Sequence, residues 1–178
     1  MKKILSMTLI FILSINFCSS ITKNNKAIEY YKSKSGIVLF EKSNVSDVLL
    51  TNIKSINDDD VRFIVDFKNL KVFSLEGTSV SSDGLIYVKN LKLLEGLFLR
   101  DTKIDDSGMK YLKGLESLQE LDLVNTKVTD EGIQELAGLE NLRMLKLRGT
   151  KVTQKGIDKL QKKLPDCYIT LETDEEIQ

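Results

Sequence analysis

Four threonines, Thr78, Thr102, Thr126 and Thr150, stand 24 residues apart, and their surroundings keep the same spacing. Leu75, Leu99, Leu123 and Leu147 recur at that interval, as do Gly84, Gly108, Gly132 and Gly156. Leu70, Leu94, Leu118 and Leu142 open each unit, and Leu91, Leu115 and Leu139 close three of them. One such unit cannot bury its apolar face alone, so a strict period in this range means a chain wound as a solenoid. The fold question reduces to the shape of a single coil.

In "LQELDLVNT" (residues 118–126), Leu121 and Leu123 alternate with Glu120, Asp122 and Val124, the period of two that a strand demands. Gly77, Asp101, Asn125 and Gly149 follow in one column, and these residue types tolerate positive φ, so a turn is expected there. The column Ser81, Asp105, Thr129 and Thr153 holds good helix N-caps. Leu85 and Val88, Met109 and Leu112, Ile133 and Leu136, and Ile157 and Leu160 recur at i, i+3 as the inward face of a short outer helix. Asn90, Gly114 and Gly138 sit where a left-handed residue would end that helix.

The unit L-x-x-L-x-L-x-x-T-x-V/I resembles the leucine-rich repeat family, with Thr where Asn or Cys is usual. Its closing half, "VTDEGIQELAGL", is similar to bacterial arrays built on T-x-V-T-D-x-G-L-x-x-L. The resemblance covers about residues 45–172. It implies an α/β solenoid with a parallel β-sheet on the concave face and short helices on the convex face. The repeated Thr is expected to hydrogen-bond the backbone of neighbouring coils.

Counting back by the period makes Val48–Leu70 a degenerate first repeat, and counting forward makes "CYITL" (Cys167–Leu171) a last strand after Pro165. The array therefore has about six strands and five helices, and "GIVLF" (Gly36–Phe40) reads as a further, N-terminal capping strand.

At the N-terminus, Met1, Lys2 and Lys3 precede an apolar stretch, Ile4–Phe17, shorter than the ~20 residues a membrane span needs. It reads as an export signal. "SINFCSS" resembles a lipobox with Cys18 as the acylated residue, although Phe17 departs from the small residue expected there. Cleavage after Ser19 or Ser20, or an uncleaved anchor, are the alternatives. The polar run Ser19–Gly36 lacks clear periodicity and reads as a tether. The expected division is 1–17 signal peptide, 18–36 tether, 37–69 N-terminal cap and degenerate repeat, 70–165 four repeats, and 166–178 closing strand and tail. The expected location is the outer membrane, cell surface or periplasm as a lipoprotein, or alternatively the secreted fraction.

Composition argues against chemistry. Basic and acidic residues each total 26, so no charge excess points to nucleic acid. There is no histidine, which excludes Ser–His and Cys–His nucleophilic pairs. The two cysteines, Cys18 and Cys167, make no disulfide framework or thiolate metal site, and Cys167 reads as a buried, inert thiol. The acidic run Asn57–Asp60 lies in the helix-start column, where carboxylates cap the first turn. No enzymatic activity, cofactor, metal or small-molecule substrate is expected.

What varies between coils is the outward side of the strands. In the family this concave sheet commonly grips proteins, so the candidate protein-binding residues are Val72, Phe98, Arg100, Glu120, Asp122, Val124, Met144, Lys146, Arg148 and Tyr168. Phe98, Val124 and Met144 are expected to form a diagonal apolar patch. The competing reading is a solvated sheet neutralised by Glu76 with Arg100, Asp122 with Lys146, and Arg148 with Glu172. About 18 outward positions fall slightly short of the ~20–30 residues a side of a standard interface. The expected partner is a host or envelope protein, with membrane anchoring through acylated Cys18. A stacked column, Lys103, Lys127 and Lys151, offers an alternative contact to an anionic glycan or lipid surface, or simply a soluble rim. A structural protein that self-assembles through its solenoid ends is the other alternative.

Overall fold

The computed structural model describes residues 25–41 and 44–171. The signal segment, Cys18 and Glu172 lie outside the described residues.

A single 7-stranded sheet runs in chain order. Its strands are β1 (Ile37–Glu41), β2 (Asn44–Leu49), β3 (Val72–Ser74), β4 (Gly96–Phe98), β5 (Glu120–Asp122), β6 (Met144–Lys146) and β7 (Tyr168–Thr170). β1 and β2 form an antiparallel hairpin, and every later pairing is parallel. The register equals the sequence period: Leu97 pairs Leu121, which pairs Leu145. Identical positions therefore stack. Phe73, Leu97, Leu121 and Leu145, each 0% exposed, form one inner layer, and Leu75, Leu99, Leu123 and Leu147 form the next.

The return path of each coil is one or two helical turns: α2 (Asp58–Val61) with a 3-10 turn Arg62–Asp66, a 3-10 turn Ser82–Tyr87, α3 (Asp106–Met109), α4 (Asp130–Gln134) and α5 (Gln154–Gln161). A coil of 24 residues leaves no room for more. All four expected N-caps accept backbone N–H bonds. Positive φ occurs at Gly77, Asp101, Asn125 and Gly149 as the turn column requires, and also at Asn52 one coil earlier. Asn90, Gly114 and Gly138 are not left-handed, contrary to expectation. Successive i→i−3 bonds such as Leu115 N to Leu112 O and Leu118 N to Leu115 O carry the chain out of the helix in a right-handed path instead.

The repeated Thr acts within its own coil, not between coils. Thr78, Thr102, Thr126 and Thr150 donate to the carbonyls of Leu75, Leu99, Leu123 and Leu147 at 2.5–2.7 Å. Each hydroxyl closes the tight turn after its strand, a place three residues from the carbonyl it satisfies.

Adjacent coils are clasped elsewhere. Asp58 accepts from the backbone N–H and hydroxyl of Ser81 at 2.7 and 2.6 Å. Asp106 holds Thr129 in the same two-point grip at 2.8 and 2.7 Å, and Asp130 holds Thr153 at 2.7 Å in both bonds. In the remaining coil the roles exchange: Ser82 donates to the Asp105 carboxylate at 2.7 Å and accepts from its backbone N–H at 3.0 Å. The glycine column exists to admit this clasp. A Cβ on Gly84 would stand 2.7 Å from Asp58 Oδ1, and on Gly132 or Gly156 it would overlap Asp106 or Asp130 more severely.

Two of these carboxylates, Asp105 and Asp130, favour their charged forms. A hydrogen bond from the Ser107 side chain holds Asp105 below its ordinary 3.8, and the Thr153 backbone N–H does the same for Asp130. A depressed folded-state value contributes stability that is present above the unfolded value and lost as pH falls through the folded one. Thermal unfolding should therefore be insensitive to pH from neutrality to about pH 5 and fall progressively below about pH 4. A melting temperature unchanged to about pH 2 would show that the hydrogen bonds to the Asp105 and Asp130 carboxylates carry no net stability.

The expected tether over residues 18–36 requires correction. Residues Asn25–Ser33 form helix α1, and Ala27, Ile28 and Tyr31 are buried in the main core. The open end of a solenoid exposes its last apolar layer unless something covers it, and α1 is that cover. Tyr31 donates to the Asp60 carbonyl at 3.0 Å, Tyr30 bonds the Asp60 carboxylate, and both rings pack on Phe63. Of the acidic run, Asn57 and Asp60 form a reciprocal capping box and Asp58 makes the clasp to Ser81.

Candidate concave-face site

The strand register carries all outward residues onto one side. One row reads Leu39, Asp47, Val72, Gly96, Glu120, Met144, Tyr168, and the next Ile37, Leu49, Ser74, Phe98, Asp122, Lys146, Thr170. Of the ten candidate residues, Tyr168 is exposed at 46%, and Val72, Phe98, Arg100, Glu120, Met144, Lys146 and Arg148 are half-buried. Asp122 and Val124 are buried, at 3% and 2%.

Val124 therefore contributes nothing to an exposed diagonal patch. It lies outside the solenoid core, in one column with Arg100 and Arg148 of the coils on either side. The ion pairs include two outside the expected set, while the expected pair of Arg148 with Glu172 falls on a residue outside the described ones. Arg100 donates to Asp122 Oδ2 through Nε and Nη2 at 3.2 and 3.0 Å, and Lys146 meets Glu120 at 3.5 Å. Asp122 is committed to Arg100 because its other oxygen accepts the Val124 N–H at 2.9 Å, which fixes the carboxylate. Among the described residues, no carboxylate pairs with Arg148.

The apolar surface lies nearer the N-terminal end than the sequence suggested. The Phe98 ring rests over Gly96, where an added Cβ would be 3.2 Å from Cε2, and beside Val72. A larger residue there would push the ring aside by a few tenths of an ångström. Beyond Ser74 and Asp47, half-buried Leu49 adjoins a second apolar group, Leu39 and Ile37, exposed at 48% and 54%. Alternation in "GIVLF" carried the signal for these last two residues once its strand was paired to the sheet.

Lys103, Lys127 and Lys151 are exposed on the rim beside the inner turns. Cys167 is 3% exposed, and burial pushes its thiol up to about 11, so it stays protonated at neutral pH. No helix among the described residues is long and apolar enough to cross a membrane.

Comparison with known proteins bears on the architecture. The Leucine Rich repeat family model matches residues 114–137, one coil of the array. An internalin C2 from Listeria monocytogenes superposes with a TM-score of 0.53 at 14% identity, covering 81% of this chain and 80% of that one. The fold is a leucine-rich repeat solenoid. The Arabidopsis receptor kinase HAESA ectodomain, solved with an IDA peptide hormone ligand, gives 0.55 at 14% identity over 75% of this chain. An LRR protein of Leptospira interrogans shares 24% identity over 61% of this chain, with a TM-score of 0.45. The chain spans 33% of that Leptospira protein and 27% of the HAESA ectodomain. No curated protein matches the chain in sequence. Leucine-rich repeat solenoids commonly serve as protein–protein interaction modules and are generally non-enzymatic scaffolds.

Proposed function

We propose that this solenoid is a non-enzymatic module that binds a host or envelope protein through its concave sheet, outside the cytoplasm. The observation that carries this reading is the apolar shelf of Phe98 and Val72. It is open on the concave side while the charged pairs beside it are internally satisfied. Arg148, two strands away, adds a cation with no carboxylate partner among the described residues. A partner suited to this face brings an apolar side chain to the shelf and a carboxylate to Arg148. Aromatic and Arg side chains of this kind dominate binding where they occur in interfaces. The peptide-bound HAESA ectodomain supports the reading.

Phe98→Ala with Arg148→Glu should reduce capture of the partner at least tenfold, the loss expected from one or two hot-spot residues. Both residues lie outside the hydrophobic core cluster, so the folded state should persist. Unchanged capture by a folded double variant would refute the concave face.

Anchoring is proposed through acylation of Cys18. Cys18→Ser should move the protein from the membrane fraction to the soluble fraction on cell fractionation. A variant that remains membrane-bound is held by something other than a lipid on Cys18.

A further inference from the structure

The N-terminal edge of the sheet offers a surface that the concave-face reading does not use. Among the described residues, β1 pairs with β2 alone, so its outer edge presents unpaired backbone N–H and C=O groups. Ile37, Leu39 and Phe40 are three of the eight exposed large apolar side chains in the described residues, and all lie in this one strand. Protein edges are usually blunted by charge, proline or a bulge. Here the bulge falls between Leu39 and Phe40, and Glu41 lies beyond it, tied to Lys71 at 2.8 Å. Ile37–Leu39 is left regular and uncharged. That is three residues, the length of each parallel strand from β3 to β7.

We infer that this edge pairs antiparallel with β1 of a second copy of the chain, about a two-fold axis through Val38. The segment is self-complementary about that axis. Ile37 of one copy falls opposite Leu39 of the other, and both contacts lie on the concave side, because Ile37 registers with Leu49 and Leu39 with Asp47. The formal net charge of the chain is zero, so two copies do not repel each other globally. On the concave side Ile37 neighbours Leu49, while Asp47 separates Leu39 from Val72 and buried Ser74 separates Leu49 from Phe98. Pairing joins the sheets of both copies into one continuous concave sheet, wider than the seven strands of one copy. Two short strands bury well under ~1,000 Å², so the dimer is weak and forms with rising concentration.

Sedimentation velocity of the full chain in a non-ionic detergent, from micromolar to near-millimolar concentration, tests this. The wild type and Leu39→Met should pass from monomer to dimer. Leu39→Lys and Ile37→Lys, at positions already half exposed, should raise the concentration needed at least tenfold while leaving the circular dichroism spectrum unchanged. The Phe98→Ala, Arg148→Glu variant should keep the dimer, which separates this proposal from the concave-face one. A monomer at every concentration overturns the inference, as does a dimer that both lysine variants leave intact. Growth beyond a dimer also overturns it, because an isologous contact closes.

Discussion

Tyr31→Ala should cost the folded state about 3–5 kcal/mol, the range for deleting a fully buried aromatic side chain. The ring is 0% exposed and packs near Phe63 and Phe67, while its hydroxyl satisfies the Asp60 carbonyl. Truncation opens the end of the solenoid at its most vulnerable layer and leaves that carbonyl without its tyrosine donor. Nearest-neighbour stability in repeat proteins makes the loss local at first, so the first coil should fray before the rest. Urea unfolding followed by hydrogen exchange would show lost protection beginning at residues 56–67. A change under about 1 kcal/mol would mean that α1 is the tether its composition suggested and caps nothing.

Gly132→Ala should destabilise by about 1–2 kcal/mol even though Ala favours helix by about 0.8–1 kcal/mol. The reason is steric and electrostatic together. The added Cβ overlaps Asp106 Oδ1, and that oxygen cannot swing aside because it accepts the Thr129 N–H at 2.8 Å. In an Asp106→Ala background the obstruction is gone, and the same substitution should become neutral or stabilising. That reversal of sign in a double-mutant cycle is specific to the clasp. Gly138, with open space where its Cβ would be, supplies the control, and Gly138→Ala should be harmless. An equal loss in both backgrounds would place the cost in the helix backbone and not in the carboxylate.

The repeat made most of the scaffold legible. When Leu97, Leu121 and Leu145 occupy the same column, each confirms the environment of the others, and the strands follow. The N-caps and the positive-φ turn were readable for the same reason. The clasp is half visible in the sequence: the cap column alone shows only helix starts, and the adjacent column Asp58, Ser82, Asp106, Asp130 complements it residue by residue. α1 was obscured because it occurs once. Its apolar residues Ala27, Ile28 and Tyr31 have helical spacing, but they sit among polar neighbours in a short segment with no second copy to compare.

The concave face was legible in membership and not in exposure. Alternation puts Val124 and Asp122 on the outward side. Whether they reach solvent is decided by what stands one coil away, and the long Arg100 side chain pairs with Asp122. Phe98 shows the converse. Its ring lies back along its own strand over Gly96 two residues earlier, an approach that alternation alone does not reveal.

The central claim is that the partner sits on the concave sheet. A photoreactive residue placed at Tyr168 or Val72, and separately at Ile86 on the convex turn, tests it directly in cells that make the protein. All three positions are at least partly open, with Ile86 at 39% and Tyr168 at 46%. The account predicts one discrete crosslinked species from the concave positions, abolished by Phe98→Ala with Arg148→Glu, and none from Ile86. Crosslinking from Ile86 alone would contradict it.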